Sequence, residues 1–290
     1  MTLSLYLRTH YAHSTIKSYQ REIAIYISKV QRPENAQYED VLQYVGLQRS
    51  RYGNGRNLCR ILSSLKVYYS YLCDAGLRTD NPAKAIKLKD KQSNDIQLQD
   101  LFTEVQLEKM MSCKQRHYDT GWRNKVLISL LIYQAMLPGE AGTLTLTDIN
   151  LEERFVAVKG MGKTTSRILS LKPGQITLFA HYLDTVRPRL INKETINNSF
   201  LVSNRGQTFP AEAITSYITK RFKTSYPGRC VSPKIIRQSV IANLFNQGYD
   251  VSIVQAFAGH HKPETTMRYK QSNIKLLKSA VEVYHPFHQS

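Results

Sequence analysis

Cysteine is sparse in this 290-residue chain: Cys59, Cys73, Cys113 and Cys230 lie far apart and form no C-x-x-C pair. That spacing excludes a zinc cluster and a disulfide framework, and reduced thiols in a cytoplasm are the expectation. Long hydrophobic runs are missing too. The longest, Val126 to Tyr133, falls far short of the about 20 residues that span a bilayer. The opening residues, M-T-L-S-L-Y-L-R-T-H, lack a basic stretch followed by an apolar run and a small-residue cleavage site, so no signal peptide is expected. No internal repeat is present. These absences together point to a soluble cytoplasmic protein without a membrane partner.

Acidic residues are outnumbered, 22 Asp and Glu against 40 Lys and Arg, for a formal charge of +18. A balance that basic points to a polyanionic partner, nucleic acid being the most common. The length favours two domains. From Leu3 to about Leu77 the apolar residues recur at helical spacing. Ser14-Thr15 reads as a helix start, with Ile16, Tyr19, Ile23, Ile25, Tyr26 and Ile27 on its buried side. A second helix is predicted over Gln37 to Arg49, and a long one runs through V-Y-Y-S-Y-L to Gly76. The first domain is therefore a small helical bundle, assigned to residues 1–86.

Lys84 to Asp100 is polar and charged without a sustained apolar face, and residues 87–100 read as a linker. The second domain, 101–290, opens with Thr103 as N-cap and Gln106 completing a capping box. A core helix is predicted over Asn124 to Ala135 and another from Pro173 to Leu190. Two short strands around the Gly-rich segment K-G-M-G-K, residues 159–163, predict a β-hairpin. Ala211 to Lys223 reads as a helix, basic at its end.

The most informative stretch is Ser232 to Tyr269. Its periodicity gives a helix from about Pro233 to Phe245, a turn at Gly248, and a second helix from Val251 to Ala258 closed by Gly259. Arg237, His260 and Tyr269 hang on the ends of these elements. Tyrosine, with an ordinary pKa of about 10, is a poor nucleophile unless cations stabilise its oxyanion and the charge on a phosphoryl group. Arg237, then Gly259-His260, then Thr265-Thr266 and Tyr269 nine residues beyond the His resemble the signature of the tyrosine recombinase (phage integrase) family.

The resemblance spans nearly the whole chain. It implies a mainly α fold: an N-terminal helical core-binding bundle plus a mixed α/β catalytic domain with a small antiparallel β-hairpin or sheet. It further implies cutting and rejoining of double-stranded DNA through a 3′-phosphotyrosyl intermediate, with neither metal nor nucleotide cofactor. Tyr269 would be the nucleophile, with Arg237, His260 and Lys234 stabilising phosphoryl charge. The hairpin pattern G-K-G-x-K-x-R places its general-acid Lys on Met161, with Lys159 and Lys163 to either side; Lys163, in the tip, is favoured. In the first domain Lys17, Arg21, Arg51, Arg56, Arg60 and Lys66, with Lys159 from the hairpin, are candidate DNA contacts. The family also implies a homotetramer on two DNA sites, a C-terminal tail helix that packs on a neighbouring protomer, a nucleoid-associated location, and room for an accessory DNA-bending protein.

Two departures stand out. Leu137 or Pro138 occupies the place of the family's first catalytic Arg, and neither can donate to phosphate. Lys234 stands where the family carries a His. These losses motivate a rival expectation, a DNA-binding protein of recombinase fold with little or no catalysis. A type IB topoisomerase, which shares the nucleophilic chemistry, is the third.

Overall fold

The computed structural model describes residues 2–51, 55–89, 100–113, 117–191 and 197–269. The chain divides into two compact units, Met1–Asn94 and Asp95–Ser290. Most of the expected linker and the whole expected tail helix fall outside the described residues.

Among its described residues the first unit has the α-helices α1 (Leu3–His10), α2 (His13–Lys29), α3 (Tyr38–Arg51) and α4 (Gly55–Asp74). α4 is the hub. Its buried face, including Ile61, Leu62, Leu65, Tyr68, Tyr69 and Leu72, packs with Ile23 and Tyr26 of α2 and Val41, Tyr44 and Val45 of α3. Tyr69 is fully buried, so its hydroxyl requires a partner, and it donates to Pro33 O at 2.9 Å while lying 2.5 Å from the Tyr26 hydroxyl. Of the three apolar neighbours expected on one side of α2, only Tyr26 is buried; Ile25 is half-buried and Ile27 exposed. Consecutive residues diverge by about 100° around a helix, so the three cannot share a face.

The second unit is built on α6 (Tyr118–Tyr133), which starts six residues before the predicted helix and is buried along most of its length. Around it lie α5 (Glu104–Met111), α7 (Pro138–Thr143), α8 (Pro173–His181), α9 (Arg187–Leu190), α10 (Ala211–Lys223), α11 (Pro233–Asn246) and α12 (Val251–Ala258). The α5 capping box forms as expected: Gln106 N–H donates to Thr103 Oγ1, and Thr103 N–H to Gln106 Oε1. The single helix predicted from Pro173 to Leu190 is instead α8 and α9 joined by a wide π-turn, Tyr182–Val186. That turn brings both polar anchors to the same neighbour: Tyr182 Oη donates to Phe200 O, and Arg187 donates to Ser199 O and Asn197 O.

The hairpin strands are β2 (Phe155–Val158) and β3 (Arg167–Ser170), paired antiparallel with Phe155 opposite Ser170 and Val158 opposite Arg167. A two-residue strand β1 (Ile149–Asn150) adds to β2, giving the order β1-β2-β3. Inward-facing Val156, Val158 and Leu169 fasten the sheet to the core that α6 and α11 share. No described helix is long and apolar enough to cross a membrane.

Candidate active site

Arg237 is placed by the start of α11. Ser232 caps that helix, accepting from Ile235 N–H, and Pro233 fills its first turn. One turn on, Arg237 points into the unit and is only 5% exposed. Its Nη1 donates to Ala135 O at 2.6 Å and its Nη2 to Ala258 O, the last carbonyl region of α12, where a helix end carries partial negative charge. Burial lowers its pKa, and nearby Glu140 works against that shift.

The end of α12 places His260. Gly259 takes the left-handed conformation at φ 66°, and the turn is closed by His260 N–H to Gln255 O and Gly259 N–H to Ala256 O. A side chain at 259 would also collide, since a Cβ there would sit 2.8 Å from Arg167 Nη1 and 3.0 Å from Thr165 O. His260 Nδ1 lies 2.8 Å from the Thr266 hydroxyl, which leaves Nε2 as the nitrogen for a substrate. Burial, then the charges of Arg237 and Arg167, push the imidazole pKa down to about 4.

Tyr269 sits at the end of helical turns over residues 263–269. Its ring stacks on His260 with centroids 6.4 Å apart and planes inclined by 12°. Ile241, Ala242, Val254 and Ala258 form its apolar bed. Burial raises the phenol pKa, opposed by Arg237, by a hydrogen bond with Gln238 and by Arg268, so the resting group is a neutral phenol.

Glu140 and Arg167 complete the centre, and the sequence reading assigned neither a role. Glu140, 1% exposed in the first turn of α7, accepts from Leu137 N–H, Thr164 Oγ1 and both Nη atoms of Arg167, and stands 4.0 Å from Arg237 Nη1. Burial pushes its pKa up, but Arg167 and the other donors outweigh that and hold it below the ordinary carboxylate range. The only sequence signal for Arg167 is the Arg that ends the hairpin pattern.

The hairpin tip docks on the same centre. Thr165 N–H donates to Gly259 O at 2.8 Å, and His261 N–H reaches Lys163 O at 3.5 Å. Lys163 is exposed at that tip, and Lys234 is exposed on the first turn of α11. Lys159 instead pairs with Asp148 at 3.1 Å. In the first unit Lys17 is exposed, Arg21 and Arg60 both pair with buried Glu22, Lys66 Nζ donates to Ile86 O, and Arg51 and Arg56 lie on α3 and α4. The structure thus brings Arg237, His260 and Tyr269 into one site and the Lys163 backbone to its edge.

A family model described as the phage integrase family matches residues 100–275, more than half of the chain. The chain belongs to that family. Among curated proteins it is similar to "Tyrosine recombinase XerD" of Listeria innocua serovar 6a, 24% identical over 94% of this chain and 93% of that one. The protein of the same name from Staphylococcus saprophyticus is 22% identical, covering 94% and 92%. Among solved structures, XerH site-specific recombinase bound to palindromic difH substrate aligns with a TM-score of 0.69 at 17% identity, over 93% of this chain and 79% of that one. The Tn1549 transposon integrase in complex with transposon right end DNA aligns at 0.66 and 18%, over 97% and 100%. The mainly helical fold with a small antiparallel sheet is therefore that of the tyrosine recombinases and integrases, as the sequence pattern implied.

Proposed function

We propose that this chain is a site-specific recombinase that cuts and rejoins double-stranded DNA through Tyr269. The observation that carries the reading is the convergence of Arg237, His260 and Tyr269, which come from three separate elements and meet around one stacked phenol. As its phenolic proton passes to solvent, Tyr269 Oη attacks the scissile phosphorus, the bond from phosphorus to the 5′ oxygen breaks, and a 3′-phosphotyrosyl link forms. Arg237 and the Nε2 side of His260 stabilise the charge on the phosphoryl oxygens, Lys234 adds a cation at the rim, and Lys163 at the hairpin tip protonates the departing 5′ oxygen. A 5′ hydroxyl from a second strand then reverses the step, so bond energy is kept in the covalent link.

The helical first unit serves as the DNA-clamping domain, with Lys17, Arg21, Arg51, Arg56, Arg60 and Lys66 as phosphate contacts and Lys159 adding one from the hairpin. For Arg21, Arg60, Lys66 and Lys159, binding exchanges an intramolecular partner for a phosphate. Four protomers acting on two DNA sites is the assembly that fits pairwise strand exchange. The complexes with DNA described for XerH and the Tn1549 integrase support a DNA substrate.

The test is a duplex carrying a nick beside the cleavage point, which loses a short fragment after attack and traps the intermediate. The native chain is expected to form a covalent complex that survives denaturing electrophoresis, and Tyr269→Phe to form none. A Tyr269→Phe chain that still traps DNA would remove Tyr269 from the role of nucleophile.

A further inference from the structure

The buried carboxylate at the centre of the site raises a problem that the proposed chemistry leaves open. A phosphodiester brings one negative charge, and Glu140 already holds one at 1% exposure, 4.0 Å from the Arg237 guanidinium that must grip the phosphate. Left to itself, that carboxylate would draw Arg237 toward it and repel the substrate. Leu137, where the family resemblance expects a cation, contributes only its backbone N–H, 2.9 Å from Glu140 Oε2.

Arg167 resolves the conflict from a different element. It stands on β3 with its side chain only 5% exposed. Nη1 donates to Glu140 Oε1 at 2.9 Å and Nη2 to Glu140 Oε2 at 3.0 Å, so the fork covers both oxygens. The Oε2 atom is the same one that the Leu137 N–H reaches, which brings the guanidinium to the N-terminus of α7. Nη1 also reaches Thr165 O at 3.4 Å. The Nε–H is buried and has no hydrogen-bond partner among the described residues, so the guanidinium is held for its grip on Glu140 at the cost of one unmet donor. The charges close: two guanidiniums against one carboxylate leave the cluster with a net positive charge to meet a phosphate.

We propose that Arg167 is a positioning residue for DNA cleavage: by occupying both oxygens of Glu140 it frees Arg237 for the scissile phosphate and keeps the cluster net positive where Leu137 and Pro138 offer no cation. This inference rests on the recombinase reading above. Arg167 acts through Glu140 and Arg237, without itself touching the reacting atoms.

The experiment is single-turnover formation of the covalent complex on the nicked duplex, with DNA concentration varied, by the native chain, Tyr269→Phe, Arg167→Gln, Glu140→Gln and the double variant. Arg167→Gln is expected to lower the saturated rate by about 10- to 100-fold, by analogy with the loss of a partner that orients a metal-ligating side chain. Its half-saturating DNA concentration should stay near the native value. Adding Glu140→Gln should recover part of the lost rate, because it neutralises the carboxylate left without its partner; a merely structural role would instead lower the fraction of chain able to trap DNA and leave the rate of that fraction native. A native rate in Arg167→Gln overturns the proposal, and so does a double variant slower than either single one. If Arg167→Gln fails to fold, Arg167→Lys replaces it, with a lowered rate relieved by Glu140→Gln supporting the proposal and a native rate overturning it. A native chain that traps no DNA sinks the recombinase reading and this inference with it, whereas trapping at equal rates by the native and Arg167→Gln chains sinks this inference alone.

Discussion

At 9% exposure, with Arg237 and Arg167 both near enough to repel a proton, the His260 imidazole stays neutral well below the range where a free histidine charges. In the proposed reaction it would therefore meet the phosphate as a neutral hydrogen-bonding group. The same shift links the site to stability. The folded-state pKa of about 4 lies below the ordinary unfolded value of 6.5, so the contribution is fully present above about pH 6.5 and is lost as pH falls toward 4. Each pKa unit corresponds to about 1.4 kcal/mol, so native stability should lose about 3 kcal/mol across that window relative to His260→Gln, which has no such group to titrate. Urea unfolding of the second unit within the full chain, followed from neutral to acid pH for both proteins, checks this. Parallel pH profiles for the two would show that burial does not hold the imidazole neutral.

At the level of elements, the hairpin loop connects the sheet to the catalytic centre, and its geometry is tight at one point. A Cβ on Gly160 would lie 2.4 Å from Thr164 O and 2.8 Å from Ser166 N, both backbone atoms that cannot swing aside. Gly160→Ala must therefore open the loop that carries Lys163 and bonds to Gly259 and His261. We expect a loss of about 1–3 kcal/mol, the usual cost of overpacking, together with a slower covalent step at unchanged DNA affinity. Thermal unfolding and single-turnover trapping read the two effects, and a fully native Gly160→Ala chain would show that the loop is slack. Local signals of this kind decide what was legible beforehand. The α5 capping box, α10 from Ala211 to Lys223, and the helix from Val251 to Ala258 closed by Gly259 lie where the pattern placed them, because caps and apolar period act within a few residues. The π-turn after α8 was not legible, since it depends on Tyr182 and Arg187 finding carbonyls in residues 197–200, well along the chain. Arg167 was missed for the same reason: its partner Glu140 is 27 residues away, and only the folded hairpin brings them together. The meeting of Arg237, His260 and Tyr269 was legible because their pattern resembles the signature of the phage integrase family.

For the whole molecule, the excess of basic residues and the buried site should differ in their response to salt. The formal charge of +18 is spread over both units, and some of its cations are held by acids of the same chain, as Arg21 and Arg60 are by Glu22 and Lys159 by Asp148. Cations that neutralise phosphates release condensed counterions, so duplex affinity should fall by on the order of 10³ between about 50 and 200 mM salt if about six phosphates are engaged. The proposed cleavage centre is different. Arg237, Arg167 and Glu140 are each almost completely shielded from solvent, and buried charges are screened far less than exposed ones. At saturating DNA the rate of covalent complex formation should therefore change little over the same range. Fluorescence anisotropy for binding, set beside single-turnover trapping for chemistry, separates the two. A trapping rate that collapses in step with affinity would mean that the phosphate is gripped by exposed side chains such as Lys163 and Lys234, with the buried guanidiniums contributing little.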